Sequence, residues 1–331
     1  MREYWKDAAR PVMTPEHESV IRQLSLYPFS PPLRERVDHI YRQYRPYQAR
    51  DWRIVDYKLV KYPFATHNSR GPTLLPTDDF FVVIGSAATL GSASQLTYGE
   101  LLARRLGLSC INLGMAGAGP EYFVRNLKQE FWDIAARARF VIVEVMSTTS
   151  TSNSTFGVFA DLPPEHAGFH AQRLAEARSH YVELARNGER DKLKDFAREN
   201  TENYLGWLKE LKSRIGAPVF GLWFSRRAPL SLDLEKPGQH LLLTQQFPQL
   251  VDAAAFRRIA EILPDMCLAV TDNGMSFAFD RFSQMPTTWW NGQPTQGYYP
   301  SPAMHNDAAR HLQQFLAHKP NMSGKQESFH G

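Results

Sequence analysis

The sequence has few of the features that would narrow its function at once. Its 331 residues contain two cysteines, Cys110 and Cys267, and both lie in or beside apolar runs. This excludes a disulfide-rich scaffold, and without a Cys/His cluster at zinc spacing the sequence predicts no metal site and no cofactor. No apolar run approaches the roughly 20 residues of a membrane span, and the first residues lack the apolar core of a signal peptide. We therefore expect a soluble, cytoplasmic protein without a membrane partner.

An excess of charge is also largely missing. Lys and Arg number 38 against 34 Asp and Glu, which gives a formal net charge of +4, and no dense basic block is present. A nucleic-acid partner is therefore not predicted. The composition, 43% hydrophobic and 22% charged, is that of an ordinary globular protein long enough to form a full core.

Short apolar runs alternate with amphipathic segments through most of the chain. The runs predict buried strands, and the segments between them predict helices. Predicted strands cover residues 80–84, 110–113, 140–146, 218–224 and 267–271. Predicted helices cover residues 97–107, 120–134, 166–186, 191–215, 250–262 and 302–317. This alternation predicts an α/β fold with a parallel sheet of about five strands and helices on both faces.

The two ends of the chain differ from this pattern. Residues 1–78 are rich in Tyr, Arg and Pro and predict a helical and extended amino-terminal extension, with helices near 14–24 and 32–45. Residues 79–318 form the predicted α/β domain, with a helical insertion at about 160–215. Residues 319–331 are predicted to be disordered. The extension is predicted to cover the main domain or to form a homo-oligomer contact.

Four blocks at predicted strand ends carry a resemblance to a known family. They are residues 85–91, 112–114, 147–153 and 299–309, and the chain is similar to the SGNH (GDSL-like) hydrolase superfamily across roughly residues 78–318. The resemblance implies a flavodoxin-like three-layer sandwich and ester chemistry. In that superfamily a Ser after the first strand is the nucleophile and a His before the last helix is the base. A Gly, an Asn and a backbone N–H form the oxyanion hole.

The blocks depart from that family at its catalytic positions. The alignment puts Ala87 at the nucleophile and Ser86 at the preceding Asp. It also puts Tyr299 at the catalytic His and Gln296 at its Asp partner. An alanine cannot attack a carbonyl carbon, and a tyrosine is a poor base at neutral pH. The standard triad is therefore not expected.

Other residues near the same blocks are candidates for these roles. Ser86 becomes the nucleophile if the turn is shifted by one residue. His305 becomes the base, with Asp307 or Glu144 near it. The candidate oxyanion or substrate contacts follow from the other blocks and from the loop after the fourth strand: Gly114, Asn153 or alternatively Thr149, Arg226 and Tyr299.

Two further features favour a polar ligand. Arg226 and Arg227 follow the fourth predicted strand and could hold a carboxylate, sulfate or phosphate. Trp289 and Trp290 have amide neighbours, a pattern typical of sugar stacking or of a hydrophobic cover.

Three functions remain open at this point. The first is an SGNH-related enzyme of ester hydrolysis or group transfer on a small-molecule or glycan substrate, with Ser86 and His305 as its catalytic residues. The second is a catalytically degenerate SGNH-like protein that binds a glycan or other polar ligand without turnover. The third is a nucleotide-dependent transferase, for which the Gly spacing after the second strand is a poor match.

Overall fold

A computed structural model describes residues 54–55, 59–157, 167–231, 243–244, 246–281, 283–289 and 293–319. The two helices predicted near 14–24 and 32–45 lie outside these residues, as does almost all of the predicted disordered tail. The division into an extension, an α/β domain and a tail therefore stays a prediction, as does a homo-oligomer contact through the extension.

The centre of the molecule is a five-stranded parallel sheet. Its strands are β1 (Phe80–Ile84), β2 (Ser109–Asn112), β3 (Val141–Glu144), β4 (Val219–Ser225) and β5 (Met266–Val270). They are arranged in the order β2-β1-β3-β4-β5, and every neighbouring pair is parallel. This is the flavodoxin-like order, in which the chain reverses direction across the sheet between β1 and β3. The predicted fold class is confirmed.

Helices cover both faces of the sheet. They are α1 (Ala87–Leu90), α2 (Tyr98–Leu106), α3 (Pro120–Asn126), α4 (Gln129–Arg137), α5 (Ala167–Arg186), α6 (Arg190–Arg214), α7 (Ala253–Ile262) and α8 (Pro302–Ala317). One apolar core lies between the sheet and α3, α4, α6 and α7. A second lies between the opposite face and the α2–α8 pair. The strands read as uninterrupted apolar runs because both faces are buried.

Local capping signals in the sequence fix several helix ends. At α2 the Thr97 hydroxyl accepts a hydrogen bond from the Glu100 N–H, and the Glu100 carboxylate accepts one from the Thr97 N–H. Gly107 ends this helix in the left-handed conformation. Ser301 caps α8, where Pro302 occupies the first turn. The predicted starts and ends of both helices are confirmed to within a residue.

The single helix predicted over 120–134 is wrong, because the chain forms two helices there. Leu127 leaves the helical conformation and forms a bridge with Ala65, and the Lys128 N–H donates to the Phe64 carbonyl. A distant segment thus satisfies backbone groups that a continuous helix would have used internally. That segment also contains a two-residue antiparallel ladder, Val60–Lys61 with Asn68–Ser69, within the extension that was predicted to be helical and extended.

Candidate functional site at the carboxyl edge of the sheet

The predicted site residues follow the carboxyl ends of neighbouring strands. Ser86 follows β1, Gly114 follows β2, Thr149 follows β3 and Arg226 follows β4. In an open α/β sheet this edge is the usual place for a ligand, above all where the strand order reverses. The contacts made there by each side chain decide which chemistry it could perform.

Ser86 is bonded to a buried carboxylate rather than to a histidine. Its hydroxyl donates to Glu144 Oε1 at 3.2 Å, and its N–H donates to Glu144 Oε2 at 3.1 Å. Thr89 adds its own N–H, at 2.9 Å, and its hydroxyl to Oε2. Burial raises the pKa of the Glu144 carboxyl to about 7, although these four hydrogen bonds act in the opposite direction. Glu144 therefore fastens the turn after β1 to the end of β3.

His305 lies elsewhere in the core and acts as a helix cap. Its Nδ1 accepts a hydrogen bond from the Tyr98 N–H at 3.2 Å, which is one of the donors left free at the start of α2. The neutral ring then carries its proton on Nε2, and that atom has no hydrogen-bond partner in the described part of the chain. Burial, assisted by the charge of Arg70, lowers the pKa of His305 to about 3. The structure does not bring His305 into hydrogen bonding with Ser86.

Ala87 and Tyr299, by contrast, are associated with the same apolar cluster. Tyr299 packs against an apolar cluster formed by Ala87, Leu90 and Ala116. Gln296, at the position of the family's Asp, accepts from the Tyr299 N–H at 2.8 Å and donates to the Tyr299 carbonyl at 3.2 Å. The two positions to which the resemblance assigns the nucleophile and the base are thus associated with one apolar cluster.

Gly114 permits a close approach between two loops. A Cβ atom on it would lie 2.2 Å from the backbone N of Leu90 in α1. Its N–H donates to Asn112 Oδ1 at 2.8 Å, and Asn112 Nδ2 donates to the Thr89 carbonyl at 2.8 Å. The Gly114 amide is therefore already used by this loop, and the oxyanion role predicted for Gly114 stays a prediction.

The loop after β3 places its two candidates differently. Asn153 Nδ2 donates to Asn200 Oδ1 at 3.1 Å, and Asn153 Oδ1 accepts from the Phe156 N–H at 2.8 Å, so its amide stabilises a local turn. Thr149 and Ser150 are 2% and 1% exposed. Neither hydroxyl has a hydrogen-bond partner among the described residues. Of the two alternatives, Thr149 has the free polar group.

The two arginines after β4 also differ in their contacts. Arg227 packs over the Trp223 ring at 5.2 Å and donates to the carbonyls of Pro248, at 2.6 Å, and Val251, at 2.9 Å. Arg226 is half-buried, and its Nη2 atom is enclosed without a partner in the described structure. Arg227 therefore fixes a loop, and Arg226 is the one available to a ligand.

The contacts of Trp289 and Asp307 show what these two predicted candidates do in the fold. Trp289 is 3% exposed and donates through its ring N–H to the Ser276 carbonyl at 2.8 Å, so it is a hydrophobic cover and not a stacking platform. Trp290 lies outside the described residues. Asp307 accepts from Thr271 and Asn273 at 2.8 and 3.1 Å, away from Ser86.

No cluster of three metal-ligating side chains occurs in the ranges described above, and no helix there is both long and apolar enough to cross a membrane.

Sequence reasoning missed one polar network at this edge. Ser147 donates through its hydroxyl to Gln249 Oε1 at 2.7 Å, and Gln249 Nε2 donates to the Tyr298 hydroxyl at 2.8 Å. No local pattern marked Gln249, because its partners lie 102 and 49 positions away. Glu144 did carry a signal, as the one charged residue of an apolar strand.

An open depression of about 720 Å³ lies apart from this edge, between α5 and α6. Its walls include Ser154, His180, Glu183 and Glu199. The Ser154 N–H and hydroxyl already bond to the Glu199 carboxylate at 2.6 and 2.7 Å. Among the described residues, no buried side-chain atom without a hydrogen-bond partner belongs to the walls of this depression, whereas Thr149, Ser150 and Arg226 at the strand ends have such atoms.

Comparisons with known proteins give a family model and several solved structures. Residues 46–161, less than half of the chain, match the model "Domain of unknown function (DUF6473)". No curated protein matches. Similar structures include a carbohydrate esterase family 2 enzyme with a carbohydrate-binding domain from Corynascus thermopiles (15% identity, 75% of this chain and 68% of that chain, TM-score 0.35). Another is LAE5, an alpha/beta hydrolase from the Lake Arreo metagenome (15% identity, 72% of this chain and 94% of that chain, TM-score 0.36). A third is a Desulfitobacterium hafniense protein described as a lipolytic protein of the G-D-S-L family (10% identity, 72% of this chain and 99% of that chain, TM-score 0.33).

Proposed function

We propose that this chain is an SGNH-like protein that binds a polar ligand at the carboxyl edge of its sheet and does not hydrolyse esters by a Ser–His mechanism. The observation that carries the proposal is the apolar contact of Tyr299 with the cluster containing Ala87. A methyl group and a phenol ring stand where the resemblance implies a nucleophile and a base. Neither can generate an alkoxide at neutral pH.

The substitute residues support the same proposal by their hydrogen bonds. The Ser86 hydroxyl donates to Glu144, whereas His305 Nδ1 accepts from the Tyr98 N–H, so the two side chains have different partners. A general base has to reach the proton that it removes, directly or through one water. His305 instead holds the start of α2, with its Nδ1 lone pair already used.

The ligand proposed is a small polar molecule or a glycan. Its support is the dense set of hydroxyl groups on the loop after β3, two of which have no partner within the described residues. Polar groups that converge at the end of a parallel sheet commonly fix the orientation of a bound ligand.

One observation favours a second candidate, ester hydrolysis or group transfer through Ser86. The Ser86 hydroxyl lies 3.2 Å from a carboxylate oxygen of Glu144, which is the geometry of a nucleophile and a general base. The pKa of that carboxyl, raised by burial to about 7, suits a base at neutral pH. This arrangement needs a motion that opens Ser86 to a substrate.

Turnover of p-nitrophenyl acetate and butyrate distinguishes the two candidates. We expect the wild-type protein and Ser86→Ala to hydrolyse both esters at the same background rate. A panel of neutral mono- and oligosaccharides is then tested for a rise in the unfolding temperature, since a ligand that binds only the folded state stabilises it. Turnover that disappears in Ser86→Ala would establish the second candidate and overturn the first.

A further inference from the structure

Two buried hydroxyl groups on the loop after β3 lack partners. Thr149 Oγ1 and Ser150 Oγ are enclosed, and within the residues described neither makes a hydrogen bond. Their neighbours in the same loop are satisfied: Ser147 bonds to Gln249, and Thr151 donates to the Thr148 carbonyl at 3.1 Å. A buried hydroxyl without a partner is destabilising, because it loses its hydrogen bonds to water and gains none in return. Such groups in a folded protein usually indicate a bound water, ion or ligand.

An unpaired cationic group lies on the adjacent loop. Arg226 follows β4, and none of the described residues forms a hydrogen bond or an ion pair with it. Its Nη2 atom is nevertheless enclosed by the protein. The neighbouring Arg227 makes four contacts of its own, so the isolation of Arg226 is not a general property of the loop.

The two loops are held side by side by a single segment, residues 247–251. On one side, the Thr148 hydroxyl donates to the Leu250 carbonyl at 3.1 Å. On the other, Arg227 Nη2 donates to the Val251 carbonyl at 2.9 Å. The strands that precede the loops are hydrogen-bonded neighbours, with Glu144 paired to Leu222. Thr148 and Arg227, the neighbours of Thr149 and Arg226 in sequence, are thus hydrogen-bonded to the consecutive carbonyls of Leu250 and Val251.

From this arrangement we infer that Thr149, Ser150 and Arg226 bind an oxyanion group, a sulfate, phosphate or carboxylate, carried by the polar ligand. Two hydroxyl donors and a guanidinium suit such a group, because charge-assisted hydrogen bonds to Arg are short, strong and directional. The inference rests on the proposed function and narrows its ligand from any polar molecule to an anionic one.

The test measures binding of sodium sulfate, sodium phosphate and sodium acetate at constant ionic strength, with chloride as the balancing anion. Calorimetric titration and the unfolding temperature are the readouts. We expect at least one of these anions to bind the wild-type protein saturably, and the preferred anion identifies the group. Arg226→Gln should weaken that binding about tenfold or more, the effect of losing a charged hydrogen bond. Thr149→Val should weaken it severalfold, and Arg226→Lys should retain part of it.

Matched controls separate the site from general effects. Arg105→Gln removes an exposed arginine of α2, and Thr201→Val removes a hydroxyl that bonds within α6. Both should bind like the wild-type protein. The unfolding temperature of each variant without anion shows that it is folded.

Two results would overturn the inference: no anion binds the wild-type protein, or Arg226→Gln and Thr149→Val bind as tightly as it does. If neutral saccharides still bind in those cases, the proposed function stands and only the anionic group is wrong.

Discussion

The buried ionisable side chains beside the sheet edge serve mainly to hold the backbone. Glu144 receives four hydrogen bonds from the turn after β1, and His305 receives one from the first turn of α2. Each is fully enclosed, so its preferred protonation state is set by burial. Both residue types are common in catalysis, yet here the contacts of each are explained by packing.

His305 gives the first prediction, because its protonation is linked to folding. Burial lowers its pKa to about 3 in the folded protein from the usual 6.5 of an exposed histidine, so unfolding takes up a proton between these two pH values. The contribution of His305 to stability is therefore present above pH 6.5 and is lost as the pH falls toward 3. His305→Asn keeps an acceptor for the Tyr98 N–H and removes the titration.

We expect the wild-type protein to be the more stable of the two at pH 7, because its imidazole ring fills the core. Between pH 7 and pH 5 that advantage should shrink by about 2 kcal/mol, as the unfolded wild-type chain binds a proton. Urea unfolding of both proteins at the two pH values measures the change, and Glu144 titrates equally in both. An advantage that stays constant would mean that His305 is not buried in its neutral form.

The loops at the strand ends are packed too closely to be simple flexible connections. The loop after β2 passes over α1 with no room for a side chain at Gly114, and Asn112 ties it to the Thr89 carbonyl. Residues 147–151 are similarly buried beneath the segment that contains Gln249. This edge of the sheet is consequently preorganised, as a binding site requires.

Gly114→Ala tests this packing. The new Cβ atom would lie 2.2 Å from a backbone nitrogen, which cannot move as a flexible side chain would. We expect the free energy of unfolding to fall by about 1–3 kcal/mol. The matched control is Gly206→Ala in α6, where no atom lies within 4 Å of the added Cβ, and it should gain about 0.5–1 kcal/mol. Denaturant unfolding measures both, and a neutral Gly114→Ala would refute the close approach.

The elements were predictable from the sequence where the signal is local. An apolar run such as residues 80–84 gives a strand because both of its faces are buried, and Thr97 with Glu100 marks the start of α2 within four residues. The break between α3 and α4 was not predictable, because Ala65 and Phe64, which cause it, lie 62 and 64 positions from their partners Leu127 and Lys128.

The candidate site was predictable only in its outline. The sequence brings Ser86, Gly114, Thr149 and Arg226 to one edge of the sheet through the strand order. The sequence does not show which of these side chains are already hydrogen-bonded to other parts of the protein. Glu144 bonds to Ser86 across 58 positions, and His305 bonds to Tyr98 across 207. Such pairings depend on tertiary packing, which no local pattern encodes.

At the scale of the whole molecule, a flavodoxin-like sheet is combined with an edge where Ala87 and Tyr299 are associated with an apolar cluster. A fold hosts many functions, so the sheet alone does not make the protein a hydrolase. Ala87 with Tyr299 argues against Ser–His ester hydrolysis, while Thr149 and Ser150 after the neighbouring strand β3, and Arg226 after β4, have polar groups without a partner among the described residues. The function proposed for this edge is therefore ligand binding and not ester cleavage.

The measurement that tests this claim most directly is labelling by a fluorophosphonate probe, which reacts only with an activated nucleophile. It compares the wild-type protein, Ser86→Ala and the double variant Ala87→Ser with Tyr299→His. We predict no labelling of the wild-type protein or of Ser86→Ala, and labelling of the double variant, whose serine and histidine would stand at the two positions to which the resemblance assigns the nucleophile and the base. Labelling of the wild-type protein that disappears in Ser86→Ala would contradict the account, because it would show that Ser86 is a working nucleophile.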